Sequence, residues 1–317
     1  MRISVTLAVN DALKRTAKVL FYPFSLRKWF ILGFAFFLAG LGRTGCSFQY
    51  SVRRQQDGLP PLPEGVQWLT THAVFVAGLV VAGIILGLAV KGVMDWLASR
   101  GDFILLDGVV RDRAAISEPW SRLAAQANSY FVLRYSITVA MLFLSGFVVL
   151  CCTALAWPSI SAGVFDRRAQ VALLVGLVIL IPMVVLFMIA QSVLSDFVVP
   201  TMYRRDLDAG SAAMLWWREL FLPHFWTFMV FYLCKIGLGI GAAFVVLLAI
   251  PLSCCLAAVP YLGSVLLLPV GVFFRSYPLY FLLQFGPEWD MWEHPPRPMP
   301  EPGATGEQGG VPGSEEG

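Results

Sequence analysis

The sequence predicts an all-α, polytopic membrane protein, and three observations predict it. Of 317 residues, 58% are hydrophobic and only 14% charged, against about 45–50% apolar and about 25% charged in soluble domains. Uncharged apolar runs recur along the chain near the roughly 20 residues that a helix needs to cross a bilayer. Arg and Lys gather in alternate loops, as they do in helical membrane proteins. These features exclude an ordinary soluble enzyme, and a net charge of +3 gives no sign of a nucleic-acid partner.

The elements follow in order. Residues 8–20 place Val9, Ala12, Leu13, Thr16, Ala17 and Leu20 on one helical face, with Asp11, Lys14, Arg15 and Lys18 opposite. That pattern predicts an amphipathic helix on the membrane surface, its cations toward headgroups. The same cations leave no apolar signal-peptide region in residues 1–20. The first apolar run, Trp29 to Gly42, has 14 residues; it crosses if Arg27 and Lys28 snorkel, or is re-entrant. The loop 43–71 is polar and carries the stiff segment Pro60-Pro61-Leu62-Pro63. The second run, Ala73 to Val90, contains Gly83-Ile84-Ile85-Leu86-Gly87, a small-residue packing face. The third covers Tyr135 to Trp157, and the fourth Val171 to Ala190 with Pro182 at its centre. Ile236 to Phe274 is uncharged over 39 residues, too long for one helix. Pro251 and Pro260 divide it into spans near 230–257 and 260–283, giving about six transmembrane helices.

With six crossings, 14 basic residues fall in segments 1–28, 96–130, 196–223 and the tail, against 5 in 43–71, 158–168 and 251–260. This places both termini in the cytoplasm. The spans form an integral membrane domain over 1–285. Residues 286–317, rich in Pro, Gly and Glu, cannot bury a core and are expected to be a disordered cytoplasmic tail.

An internal repeat underlies the spans. At an offset of 94, Asp102-Phe103 falls on Asp196-Phe197, Arg111-Asp112 on Arg205-Asp206, Ala115 on Ala209 and Ser117 on Ser211. Cys151-Cys152 before Pro158 resembles Cys254-Cys255 before Pro260. At an offset of 87, Gly176, Val178, Leu180, Pro182, Val185 and Phe187 meet Gly263, Val265, Leu267, Pro269, Val272 and Phe274. Pro23-Phe24-Ser25 echoes Pro119-Trp120-Ser121. The predicted unit is an amphipathic segment followed by a helical hairpin, at about 8–97, 98–195 and 196–285. It is a parallel repeat, unlike the inverted repeats of many transporters.

No HExxH, Walker, GxSxG or dinucleotide motif occurs, so no catalytic, cofactor or metal residue is assigned. His72, His224 and His294 are scattered, and the six cysteines read as small apolar packing residues. Asp95, Asp102 and Asp107 are expected to pair with Arg100 and Arg111 on a wet cytoplasmic face. Arg134 and Lys235 are expected to snorkel. Three residues stand out as candidates for function: Arg275, charged within the last apolar segment, and Pro182 and Pro269, repeat-related and near mid-span, where each breaks helical hydrogen bonding.

The stretch Trp96 to Asp107, then Pro119-Trp120, Asn128 to Phe131, Leu268-Pro269-Val270, Phe274-Arg275 and Gln284-Phe285-Gly286, resembles uncharacterised bacterial multi-spanning membrane proteins of unknown function. Their layout is similar to the membrane domain of glycerophosphodiester phosphodiesterases. That resemblance implies a fold and no activity, since no soluble phosphodiesterase domain accompanies it. The reading that follows is a non-enzymatic integral membrane protein. It serves as a scaffold or a partner- or lipid-interacting subunit, contacting the bilayer and anionic phospholipids through its basic amphipathic segments, with any protein partner unknown. The alternative is a small-solute or lipid transporter using proline-broken helices.

Overall fold

In the computed structural model, residues 4–22, 24–42, 71–162, 166–252 and 259–292 are described, and they are all-helical. The predicted loop 43–71 up to its last residue, Pro23, the Cys254-Cys255 pair, His294 and the tail from residue 293 lie outside them.

The chain runs α1 (Val5–Phe21), α2 (Leu26–Leu41), α3 (Ala73–Arg111), α4 (Ser117–Arg122), α5 (Ala124–Ser161) and α6 (Arg167–Val193). One π-helical turn, Leu194–Val198, continues α6 into α7 (Val199–Arg205). Then come α8 (Ala209–Trp216), a second π turn (Trp217–Phe221), α9 (Phe225–Leu252), α10 (Pro260–Leu266) and α11 (Leu268–Leu283), before a 3-10 turn at Pro287–Trp289.

Local chemistry sets the helix starts. Asp166 caps α6 by accepting from the N–H groups of Arg168 and Ala169 at 3.0 and 3.1 Å. Asp208 caps α8 through Gly210 and Ser211 in the same manner. Each cap satisfies donors that a helix N-terminus leaves unmet. Helix α3 and the continuous run α6–α7 both end on an aspartate in the left-handed region, Asp112 at φ 55° and Asp206 at φ 54°. Aspartate tolerates this conformation better than most side chains.

Among the described residues, four helices are long and apolar enough to cross a membrane: Val74–Arg111, Ala124–Ser159, Arg167–Arg205 and Phe225–Leu248. Each has two halves of different character. At 74–90, 142–157, 171–189 and 233–248, large apolar side chains are widely exposed, Val178 at 70% and Leu248 at 68%. The other halves pack tightly with α1, α2 and α11 into a base. Phe197 is its aromatic centre, fully buried, stacked on Trp216 with centroids 5.4 Å apart and meeting Phe228, Phe231 and Phe281. Phe231 in turn stacks on Tyr277 at 4.6 Å.

The two remaining predicted spans are shorter helices. Helix α2 has 16 residues, and its neighbours fix its register. Lys28 meets Asp112, Leu32 approaches Gly108, Leu38 and Ala39 press on Gly101, and Gly42 lies by Lys91 and Asp95. It therefore lies antiparallel to the packed half of α3. A Cβ on Gly101 would stand 2.4 Å from the Ala39 nitrogen, so only glycine admits this approach. The segment 260–283 is divided at Leu267 into α10 and α11.

Several details differ from expectation. Helix α1 forms, yet it buries Ala8, Ala12, Thr16, Val19 and Leu20 and leaves Leu13 exposed. Its Arg15 donates to the carbonyls of Val109 and Val110 at 2.7 and 3.0 Å and lies over Trp292. The face pointing at protein is thus rotated from the one drawn by apolarity alone. Gly83 and Gly87 have open space around them, so that small-residue face packs on no described helix. Cys152 packs its sulfur toward Gly176, joining α5 to α6. The first residues of the expected tail are folded: Trp289 and Met291 are buried, Trp292 stacks on Tyr280, and Arg205 pairs with Glu288 at 3.0 Å. Two tryptophans and a methionine supply apolar area that the Pro/Gly average hid.

Candidate functional site

The polar residues of the long helices converge where the exposed apolar halves meet the base. Asp95, Asp102 and Asp107, expected on a wet face, are 0%, 1% and 0% exposed. Buried carboxylates require compensating charge; each receives it from other segments, and Asp95 and Asp107 from their own helix as well. Asp107 accepts from the Tyr203 hydroxyl at 2.8 Å and pairs with Arg111, Arg113 and Arg122. Asp95 pairs with Lys91 at 2.5 Å and Arg134 at 3.7 Å. Asp102 pairs with Arg134 at 3.4 Å and Arg275 at 3.7 Å. Arg100 instead donates to the Trp120 carbonyl and the Asn128 amide, and lies over Trp96 and Trp120. Arg134 and Lys235, expected to snorkel, reach carboxylates within the protein. Arg134 is 4% exposed against its two aspartates, and Lys235 pairs with Asp196 and donates to Ser192 at 2.9 Å. Acidic partners on neighbouring helices hold them more strongly than a solvated interface would.

Outside the long helices, Arg113 reaches Glu118 through two bonds of 2.6 and 2.9 Å. The hydrogen bond from Arg113 chiefly holds the Glu118 carboxyl below its ordinary value, and the same bond raises the Arg113 guanidinium.

A cleft of about 390 Å³ opens at this junction. Lys91 of α3, Arg134 of α5 and Lys235 of α9 bring cations to it. Gln191, Ser192 and Asp196 line it from α6 and its π turn, with Phe187 and Met188 on the apolar side. Among the described residues, no group of three or more His, Cys, Asp or Glu side chains is placed to hold a metal ion.

The three sequence candidates fall in different places. Arg275 is 5% exposed and lies just behind the cleft. Its Nη1 donates to the Ser195 carbonyl at 2.9 Å, and its Nη2 to the Asp102 carbonyl at 2.6 Å. The Ser195 carbonyl is a special acceptor. In the π turn, the Val199 N–H bonds to the Leu194 carbonyl, and position 200 is a proline with no N–H to give. Pro182 is exposed within a continuous α6, away from the cleft lining. Pro269 is not mid-helix: it sits in the first turn of α11, directly after the break at Leu267, where proline fits without losing a bond. The sequence sets Lys91, Arg134 and Lys235 in or at the membrane and does not join Asp196 to them. Each stands at one edge of an apolar run, and reading those edges as one depth is the signal that finds them.

The family described as a family of unknown function, DUF7544, matches residues 3–268, and the chain belongs to it. No curated protein and no solved structure matches, so the likeness in layout to phosphodiesterase membrane domains rests on the sequence motifs alone.

Proposed function

We propose that this chain is a non-enzymatic integral membrane protein of the bacterial inner membrane, a scaffold or partner- and lipid-interacting subunit. The carrying observation is the base. Its buried carboxylates are neutralised by cations from neighbouring segments, Asp102 by α5 and α11, Asp107 also by α4, and Asp95 by α5. Ion pairs of this kind fix one arrangement of helices.

The architecture we propose is six crossings with both termini cytoplasmic, on the 14-to-5 basic partition, with α2 and the α10–α11 pair as the short passages. The repeat is part of the proposal. Helices α3 and α6–α7 span 73–111 and 167–205 and end on Asp112 and Asp206, all at the offset of 94 that the sequence suggests. An impermeant thiol reagent on intact cells tests the topology: Ala162→Cys should react and Ser211→Cys should not, and the reverse pattern would refute it.

Purification from native membranes in mild detergent tests the scaffold, with a stoichiometric protein or retained lipid expected. Substrate-dependent flux in proteoliposomes would favour the transporter reading instead. One observation supports that second reading: the helix break at Leu267–Pro269 and the π turn before Pro200 both lie close to Arg275 in sequence or in space.

A further inference from the structure

We infer that the cleft between Lys91, Arg134 and Lys235 is a binding site for a phosphate group, carried by a lipid headgroup or free in solution. This deepens the lipid-interacting part of the proposed function and rests on it only for the lipid as source. It is distinct from any contact between the surface of α1 and headgroups.

Charge balance is the first ground. Lys91, Arg134 and Arg275 face Asp95 and Asp102 in one set of ion pairs, and Lys235 faces Asp196 in a separate pair across the same cleft. Among the described residues, three cations thus meet two carboxylates in the first set, which leaves one positive charge in excess. An unbalanced charge beside apolar surface is costly, and an anion in the cleft removes that cost.

Donor geometry is the second. An ammonium has three N–H donors. Among the described residues, Lys91 uses two, to the Gly42 carbonyl and Asp95. Lys235 also uses two, to Ser192 and Asp196. Each therefore keeps one donor at the cleft it lines. The Gln191 amide joins them: its nitrogen reaches Thr138 at 3.4 Å, and its oxygen meets no donor among the described residues. The amide nitrogen carries a second N–H beyond the one that Thr138 accepts, while the Thr138 hydroxyl spends its own hydrogen on the Arg134 carbonyl. Cations from three helices, converging with that amide, suit an anion with several acceptor oxygens, and phosphate is the common biological anion of that shape.

Position is the third ground. Phe187 and Met188 form the apolar side of the cleft, and the exposed half of α6 continues from them. A phosphate at Lys235 thus has apolar surface beside it for acyl chains, as a headgroup at the edge of a bilayer requires.

The test is calorimetric titration of the full chain in neutral detergent with dihexanoyl-phosphatidylglycerol, inorganic phosphate and, as a phosphate-free control, dihexanoylglycerol. We expect saturable binding of phosphatidylglycerol or phosphate, weakened about tenfold or more by Lys91→Gln and by Lys235→Gln, and retained in Lys235→Arg. Binding of phosphatidylglycerol alone identifies a headgroup; binding of both identifies a site that a free phosphate group fills. Absence of binding to folded wild-type protein overturns the inference. So does binding that both glutamine variants leave unchanged, or dihexanoylglycerol binding as tightly as phosphatidylglycerol, a comparison that needs no variant to fold. Partner co-purification and flux judge the scaffold separately, so the two fail independently.

Discussion

The Arg275 guanidinium stands 2.9 Å from the Ser195 carbonyl oxygen, one residue into the π turn whose fifth-residue donor Pro200 removes. A side chain from α11 thereby completes the backbone hydrogen bonding of the α6–α7 run. Arg275→Gln should destabilise the detergent-solubilised protein by about 3–5 kcal/mol, because it weakens both this bond and the support of buried Asp102. Pro200→Ala restores an N–H, so the cost of Arg275→Gln should shrink in that background. Unfolding midpoints of the four proteins in the cycle measure the coupling, and strictly additive effects would refute the link.

Asp107 gathers three arginines and a tyrosine. Asp107→Asn should cost about 3–5 kcal/mol by removing the buried carboxylate that Arg111, Arg113 and Arg122 share. Denaturant unfolding would show it, and a loss below ~1 kcal/mol would mean that the arginines find other partners.

Two glycines on one helix should respond oppositely. Gly101→Ala drives a Cβ into the backbone of α2 and should lower stability by about 1–3 kcal/mol. Gly83→Ala meets open space and should raise it by up to ~1 kcal/mol through helix propensity. Equal effects in thermal melts would contradict the packing described.

The pH dependence of the Glu118–Arg113 pair has a definite sign. The folded carboxyl lies below its ordinary value of 4.5, so its contribution is fully present above that value and is lost as pH falls through the folded one. Glu118 is 48% exposed on its side chain, which limits the contribution to about 0.2–1 kcal/mol. The stability gap between wild type and Glu118→Gln should be open at pH 7 and shrink progressively as pH falls below 4.5; a gap that does not shrink on acidification would exclude the pair as its cause.

Truncation separates the docked part of the C-terminal segment from the rest. Removing 287–317 takes away buried Trp289 and Met291 and should lower the melting temperature. Removing only 294–317 keeps those contacts, and its melting temperature should stay nearer that of wild type. Equal loss from both truncations would show that the residues beyond 293 carry the effect.

The apolar halves of α3, α5, α6 and α9 were legible because each is a long run with no charge. The Arg-Asp pair at 111–112 recurs at 205–206 in the sequence, which did not say that each aspartate ends a helix in the left-handed region. The cleft was not legible, because Lys91, Arg134, Lys235 and Asp196 come from four separate segments and only packing sets them at one level. Arg275 drew notice as a charge in an apolar run, but its partners Ser195 and Asp102 are 80 and 173 residues away. Pro182 and Pro269 looked equivalent in sequence. One lies inside a continuous helix and the other begins one, a difference set by the break at Leu267 rather than by either proline.

The same separations impose a timetable on biosynthesis. Arg134 follows Asp102 by 32 residues, whereas Arg275 follows it by 173. At translation rates of about 5–20 residues per second, roughly 10–35 s pass between synthesis of Asp102 and of its second cation. During that interval Arg134 is the guanidinium available to Asp102, and the Ser195 carbonyl waits for α11. The base closes only when the last helix arrives, so a nascent chain halted before it exposes an unfinished charged seam to the quality-control machinery of the membrane.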